Sequence, residues 1–185
     1  MLTDQQKYDH WKAIAFYQVI CNKIKCFIAG GAARNLLKGE APKDYDFWIA
    51  DDLQVKHILD AVQDTYKDLG GQFTVVVPEV YGEEYPGAGG QLCERKDIEF
   101  VVKVQVDDVD LDLIKMKRPE GESMQATEIL DTFDFPFNKF ILLPDSQIVG
   151  TGHMGSTQHA MRSLSEGRLA ALQSRFPDHE FIDLN

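Results

Sequence analysis

Apolar and polar positions alternate in blocks that predict most of the elements. From Asp4 to Asn22 the apolar residues Trp11, Ile14, Ala15 and Val19 recur at helical spacing, so this stretch reads as an amphipathic helix with that stripe facing inward. Ile24 to Ala29 is a short apolar run and reads as a buried strand. Gly30-Gly31 end it, and Ala32 to Lys38 has helix-forming composition until Gly39 and Pro42 stop it. Tyr45 to Ala50 is strand-like. Leu53 to Leu69 is a second long helix, set between Asp51-Asp52 and Gly70-Gly71, and Phe73 to Val77 is a strand. Pro78 to Cys93, rich in glycine, reads as a long loop that could act as a flap, with Tyr81 and Tyr85 as stacking groups. Ile98 to Val106 and Val109 to Met116 both alternate around Asp107-Asp108, which predicts a hairpin. Lys139 to Pro144 and Gln147 to Gly150 are brief strands, and Ser156 to Phe176 reads as a helix.

Helix, then a mixed run of strands and helices, then helix: this order predicts an α/β (α+β) fold, a mixed sheet flanked by helices. The core is expected over 1–150, with a small C-terminal helical portion, 151–185, packed on it. The 185 residues suffice for a proper hydrophobic core, and no internal repeat suggests otherwise.

Composition adds exclusions. With 44% apolar and 26% charged residues the chain has the makeup of a soluble globular protein. No apolar stretch approaches membrane-spanning length, and MLTDQQKYDHWK lacks a signal-peptide core. Cys21, Cys26 and Cys93 follow no ligand spacing or disulfide framework, which points to reduced thiols in a cytoplasm. The net charge of −11 argues against long nucleic acid as a partner, because each phosphate contact needs a cation and the basic residues are scattered. Lys115, Lys117 and Arg118 form one small basic cluster.

The chemistry concentrates between Gly30 and Asp46. Glycines at a strand-to-helix turn let a phosphate approach the backbone, and free N–H groups at a helix start favour an anion. Arg34, one turn further on, either adds a cation there or pairs with a carboxylate. Alternation puts Asp44 and Asp46 on one strand face, opposite Tyr45 and Phe47. Two adjacent carboxylates repel unless a cation lies between them, and Mg²⁺ suits carboxylate plus phosphate oxygens. Taken alone, such a pair is more often a solvated strand edge.

This segment, GGAARNLLKGEAPKDYD, resembles the head-domain signature of the DNA polymerase beta-like nucleotidyltransferase superfamily. In bacterial CCA-adding enzymes and poly(A) polymerases that signature runs GGxVRDxLLGxxPKDxD. Gly30, Gly31, Arg34, Leu37, Gly39, Pro42, Lys43, Asp44 and Asp46 fall in register without a gap, and Asn35 replaces the family's aspartate. The resemblance covers about a tenth of the chain. It implies nucleotide binding at Gly30, Gly31, Arg34 and Lys43, and metal binding at Asp44 and Asp46. It also implies a third carboxylate on a neighbouring strand. Asp112, framed by LDLIKM, is the first choice and Asp110 the second. The resemblance further implies two Mg²⁺ ions, with Mn²⁺ as a substitute.

Downstream, LDLIKMKRPEGESMQATEILDTFDFPFNKFILLPD resembles compact phage-encoded nucleotidyltransferase-like proteins, in which a Phe-Asp-Phe motif precedes a strand. Here that motif is Phe133-Asp134-Phe135. Together these readings predict transfer of a nucleoside monophosphate from an NTP to an acceptor hydroxyl, with release of pyrophosphate. The acceptor is expected to be a small molecule, a protein hydroxyl or a short nucleotide end. The competing reading is a catalytically idle nucleotide-binding or antitoxin-like module of the same fold. A purely structural role would leave the clustered acids unexplained.

Overall fold

Two-residue alternation along the strands divides their side chains between two layers, and the layers are unequal. The computed structural model describes residues 1–82, 84–86, 92–94, 97–133, 135–155, 158–161 and 166–183. Its elements are α1 (Asp4–Ile20), β1 (Cys26–Ala29), α2 (Gly31–Leu37), β2 (Tyr45–Ile49), α3 (Val55–Asp68), β3 (Val75–Tyr81), β4 (Glu84–Pro86) and β5 (Leu92–Glu94). Then come β6 (Ile98–Val106), β7 (Val109–Met116), α4 (Ala126–Asp131), a 3₁₀ turn (Pro136–Asn138), β8 (Phe140–Leu142), β9 (Ile148–Gly150), β10 (Gln158–Met161), α5 (Glu166–Arg175) and β11 (Glu180–Asp183).

Seven strands form one mixed sheet in the order β3-β6-β7-β2-β1-β8-β9. Its neighbours are antiparallel except at the centre, where β2 runs parallel to β7. One face is dry: Tyr45, Phe47, Ile49, Leu111, Leu113, Phe100 and Val102 pack against Phe16, Tyr17 and Ile20 of α1 and Ile58 and Val62 of α3. On the other face Trp48, Val101, Ile114 and Met116 pack under Ile129 and Leu130 of α4. Phe135 and Phe137 anchor a third cluster, with Leu172, Phe176 and Phe181 from the C-terminal part.

Several sequence readings need correcting. In α1, Ile14 is buried as expected and Ala15 and Val19 pack against the core, but Ala13, Phe16, Tyr17 and Ile20 are buried too, whereas Trp11 is 48% exposed and stacks on Tyr8. Lys12 occupies the inward stripe because Asp9, Asp107 and Asp108 surround its ammonium, an ionic contact that hydrophobic spacing cannot register. The described residues of the loop from Pro78 are mostly strand. β3 continues to Tyr81, whose ring lies against the α4-side core, and β4 pairs antiparallel with β5. Gly87 to Gln91 and the side chain of Tyr85 lie outside the described residues. The helix expected over 156–176 is shorter, α5, and β10 and β11 flank it as a parallel pair. Long-range pairing of Gln158–Met161 with Glu180–Asp183 overrides the local helical spacing. Among the described residues no helix is long and apolar enough to cross a membrane.

Candidate functional site

β2 and β7 bring the acids together. In the parallel register Asp46 is the direct partner of Asp112, with Tyr45 opposite Leu111 and Phe47 opposite Leu113. Adjacent strands lie about 4.8 Å apart, so both carboxylates rise side by side from one face. Asp44 and Asp110 each precede the paired Tyr45 and Leu111, so they lie one step toward the same end, and both are exposed. Among the described residues no three His, Cys, Asp or Glu side chains converge closely enough to hold a metal ion.

The next strand instead brings a cation to the acids. β6 pairs with β7 around Asp107-Asp108, which sets Lys103 opposite Asp112 and Gln105 opposite Asp110. Lys103 Nζ donates to both Oδ1 and Oδ2 of Asp112 at 2.8 Å. Gln105 Nε2 donates to Asp110 Oδ1 at 3.2 Å. Burial pushes the Asp112 carboxyl above the usual carboxylate range; Lys103 offsets part of this, and the charges of Asp44 and Asp110 add to it. For Lys103, burial alone would lower the ammonium. The hydrogen bond to Asp112 and the charges of Asp112, Asp110 and Asp46 together outweigh it, so its pKa rises.

Lys103 was not singled out from the sequence, although a signal existed. With a two-residue turn at Asp107-Asp108, counting back along both strands places Lys103 against Asp112. Two residues of the small basic cluster, Lys115 and Arg118, are engaged away from the acids. Lys115 is fully buried, its Nζ 3.0 Å from Asp52 and 3.5 Å from Glu99. Arg118 donates to the backbone carbonyls of Ile49, Ala50 and Asp51.

The glycine turn forms as expected. Gly30 has φ 87°, a conformation that side chains rarely adopt, and α2 starts directly after it. Its N–H donates to the Phe140 carbonyl at 3.0 Å, which ties the turn to β8. Arg34 is 4% exposed. Its guanidinium donates to Asn35 Oδ1 and to Asn138 Oδ1 at 2.7 Å, and lies over the rings of Phe137 and Phe176. Asn35, the departure from the resembled pattern, thus acts as an acceptor for Arg34. Lys43 is exposed. In the Phe133-Asp134-Phe135 motif, Phe133 stands edge-on to Trp48 at 5.1 Å and Phe135 stacks on Phe137 at 5.0 Å, while Asp134 lies outside the described residues.

A family model matches residues 2–165 and is described as Gabija anti-defense 2, or Gad2. The chain belongs to the Gad2 family. No curated protein matches it. Its shape is similar to that of an apo tRNA-processing enzyme (TM-score 0.49, 15% identity, 87% of this chain and 37% of that one). Similar too are a Bacillus stearothermophilus CCA-adding enzyme in complex with CTP (0.47, 15%, 92% and 36%) and a tRNA nucleotidyltransferase complexed with a primer tRNA and an incoming ATP analogue (0.46, 15%, 78% and 37%). The chain spans little more than a third of the length of each. At these scores and identities the likeness carries no functional argument.

Proposed function

We propose that this Gad2 protein is a metal-dependent nucleotidyltransferase whose transfer reaction serves the anti-defense role in its family's description. The observation that carries the reading is the direct pairing of Asp46 with Asp112 across two parallel strands. The reading is supported because Asp112 lies beside Asp46 on the neighbouring strand, where the Gly30–Asp46 signature implies a third carboxylate. By the chemistry of its donors the set suits Mg²⁺ or Mn²⁺, since Asp44, Asp46, Asp110 and Asp112 offer hard oxygen ligands, although a metal would have to draw them together and compete with Lys103 for Asp112.

In this reading Asp46 and Asp112, with Asp44, would hold the divalent ions, which would neutralise triphosphate oxygens and lower the pKa of an acceptor hydroxyl. The protein's own contribution is position. Asp46 and Asp112 fix where the α-phosphate and the acceptor meet, and the Gly30-Gly31 turn admits phosphates close to the backbone. Lys43 adds an exposed cation at the entry to β2. Arg34 acts from beneath, joining α2 to Asn138. The acceptor oxygen forms a bond to the α-phosphorus, the bond to the β-phosphate oxygen breaks, and pyrophosphate leaves with the electron pair. The hydroxyl proton passes to solvent or to a carboxylate. The acceptor is a small molecule, a protein hydroxyl or a short nucleotide end, within or acting on the defence machinery.

A second reading is favoured by the Lys103–Asp112 pair, which occupies the carboxylate with a protein cation: an idle module that binds nucleotide without turnover. One experiment separates the two. The chain is incubated with each labelled NTP, Mg²⁺ or Mn²⁺, and a panel of acceptors that includes purified Gabija components. Label transfer with pyrophosphate release, lost in Asp46→Asn, supports the enzyme. Nucleotide binding without pyrophosphate from any acceptor would leave only the idle module.

A further inference from the structure

β6, β7 and β2 lie side by side, and their register puts Lys103, Asp112 and Asp46 in one row across the sheet. The Lys103 ammonium engages both oxygens of Asp112 at 2.8 Å, and so competes with a divalent ion for the same negative charge. Its side chain is 30% exposed while that of Asp112 is 13% exposed. The lysine is thus the more solvent-accessible partner of the pair. Its four-carbon stem can swing the ammonium toward solvent without moving the strand. An incoming polyphosphate offers that ammonium a denser negative charge than one carboxylate does.

We propose that Lys103 is a tethered cation guarding Asp112: without nucleotide it closes the carboxylate to divalent metal, and the phosphates of a nucleoside triphosphate draw it away. Metal and nucleotide then bind in concert, because each gains from removal of the same ion pair, and by linkage each raises the other's affinity by the same factor. The nucleotide half rests on the nucleotidyltransferase reading. Competition between lysine and metal does not, since it needs only the Lys103–Asp112 geometry.

The test is Mn²⁺ binding to the full chain, measured from the loss of the free Mn²⁺ paramagnetic resonance signal, with and without a non-hydrolysable ATP analogue. Wild type should bind Mn²⁺ weakly alone and about tenfold or more tightly with the analogue. K103M should bind Mn²⁺ alone about tenfold more tightly than wild type and lose most of the dependence on the analogue. K103Q, which keeps a polar head without the charge, should behave like K103M. Equal or weaker Mn²⁺ binding by both variants would overturn the proposal. Loss of the fold in both would overturn it too, since Lys103 would then be a structural residue. Wild type that binds no analogue at all sinks the nucleotide half together with the proposed function, while the comparison on Mn²⁺ alone still decides the guarding role.

Discussion

The two lysines near Asp112 make opposite use of an ion pair. Lys115, three residues further along β7, is fully buried, held by Asp52 and Glu99, and Asp52 also accepts the Gly121 N–H at 2.6 Å. That hydrogen bond first, and Lys115 second, holds the Asp52 carboxyl below its usual range. The arrangement fastens the segment after β2 to the segment after β7. Among the described residues Lys103 hydrogen-bonds one carboxylate, Asp112, with a partly open side chain and no comparable backbone tether in the pair. A fully buried cation that loses its partner is stranded in a medium that cannot solvate it, whereas a partly exposed one turns to water. The first pair therefore belongs to the fold and the second is free to belong to the site.

The largest effect that would sharpen this contrast is on transfer. Asp112→Asn should lower the rate of label transfer by about a hundredfold or more, because a metal site loses an anionic ligand, whereas Asp110→Asn should cost less than about tenfold. The reverse ranking in a single-turnover assay would move the site one step toward Asp44 and Asp110.

Next in size is the loss of fold stability at the buried lysine. Asp52→Ala leaves Lys115 with Glu99 alone and should lower the melting temperature by several degrees. Lys115→Met removes the charge along with the pair and should be the milder change. If calorimetry ranks Lys115→Met as the more damaging, the cluster stabilises through attraction more than through mutual compensation, and the contrast fails.

Lys103→Met should be nearly neutral for the fold. The lost cation is 30% exposed and Asp112, left without it, can take up a proton because burial already raises its pKa, so the loss should be smaller than that of Asp52→Ala. A larger drop would make the two lysines alike.

The smallest effect is a pH dependence at α1. His10 Nδ1 lies 3.0 Å from the Tyr45 hydroxyl, and burial depresses the pKa of the imidazole below 6.5. The unfolded chain therefore takes up this proton first as pH falls through about 6.5, and stability contributed by the neutral ring is lost from there down to the folded pKa. Melting temperature against pH should fall less steeply between 7 and 5.5 for His10→Gln than for wild type; parallel curves would exclude His10 as the source.

Much of this was legible in the chain because it is local. The strand, glycine turn and helix from Cys26 to Leu37 follow from composition and the needs of the turn. The β6–β7 hairpin follows from alternation and its two-residue Asp107-Asp108 link. The same link contained the Lys103–Asp112 contact, which only required counting the register. What was not legible depended on partners far along the chain. Helical spacing placed Ile14, Ala15 and Val19 correctly but could not show that Lys12 is buried too, because that rests on three aspartates, two of them in the hairpin turn. Nor could it show that Gln158–Met161 pairs with Glu180–Asp183.

The sequence by itself determined which residues share a strand face: Asp44 with Asp46, Asp110 with Asp112, and the aromatic and aliphatic residues between them on the dry side. A period of two in the backbone leaves no other choice. Only the tertiary structure decided that β2 lies beside β7, parallel and in the register that joins Asp46 to Asp112, and that Lys103 completes the row. A parallel neighbour is not joined by a turn, so no local rule sets its register. It is fixed when Tyr45, Phe47, Leu111 and Leu113 bury together against α1 and α3, and the acids on the opposite face are carried into place by that packing.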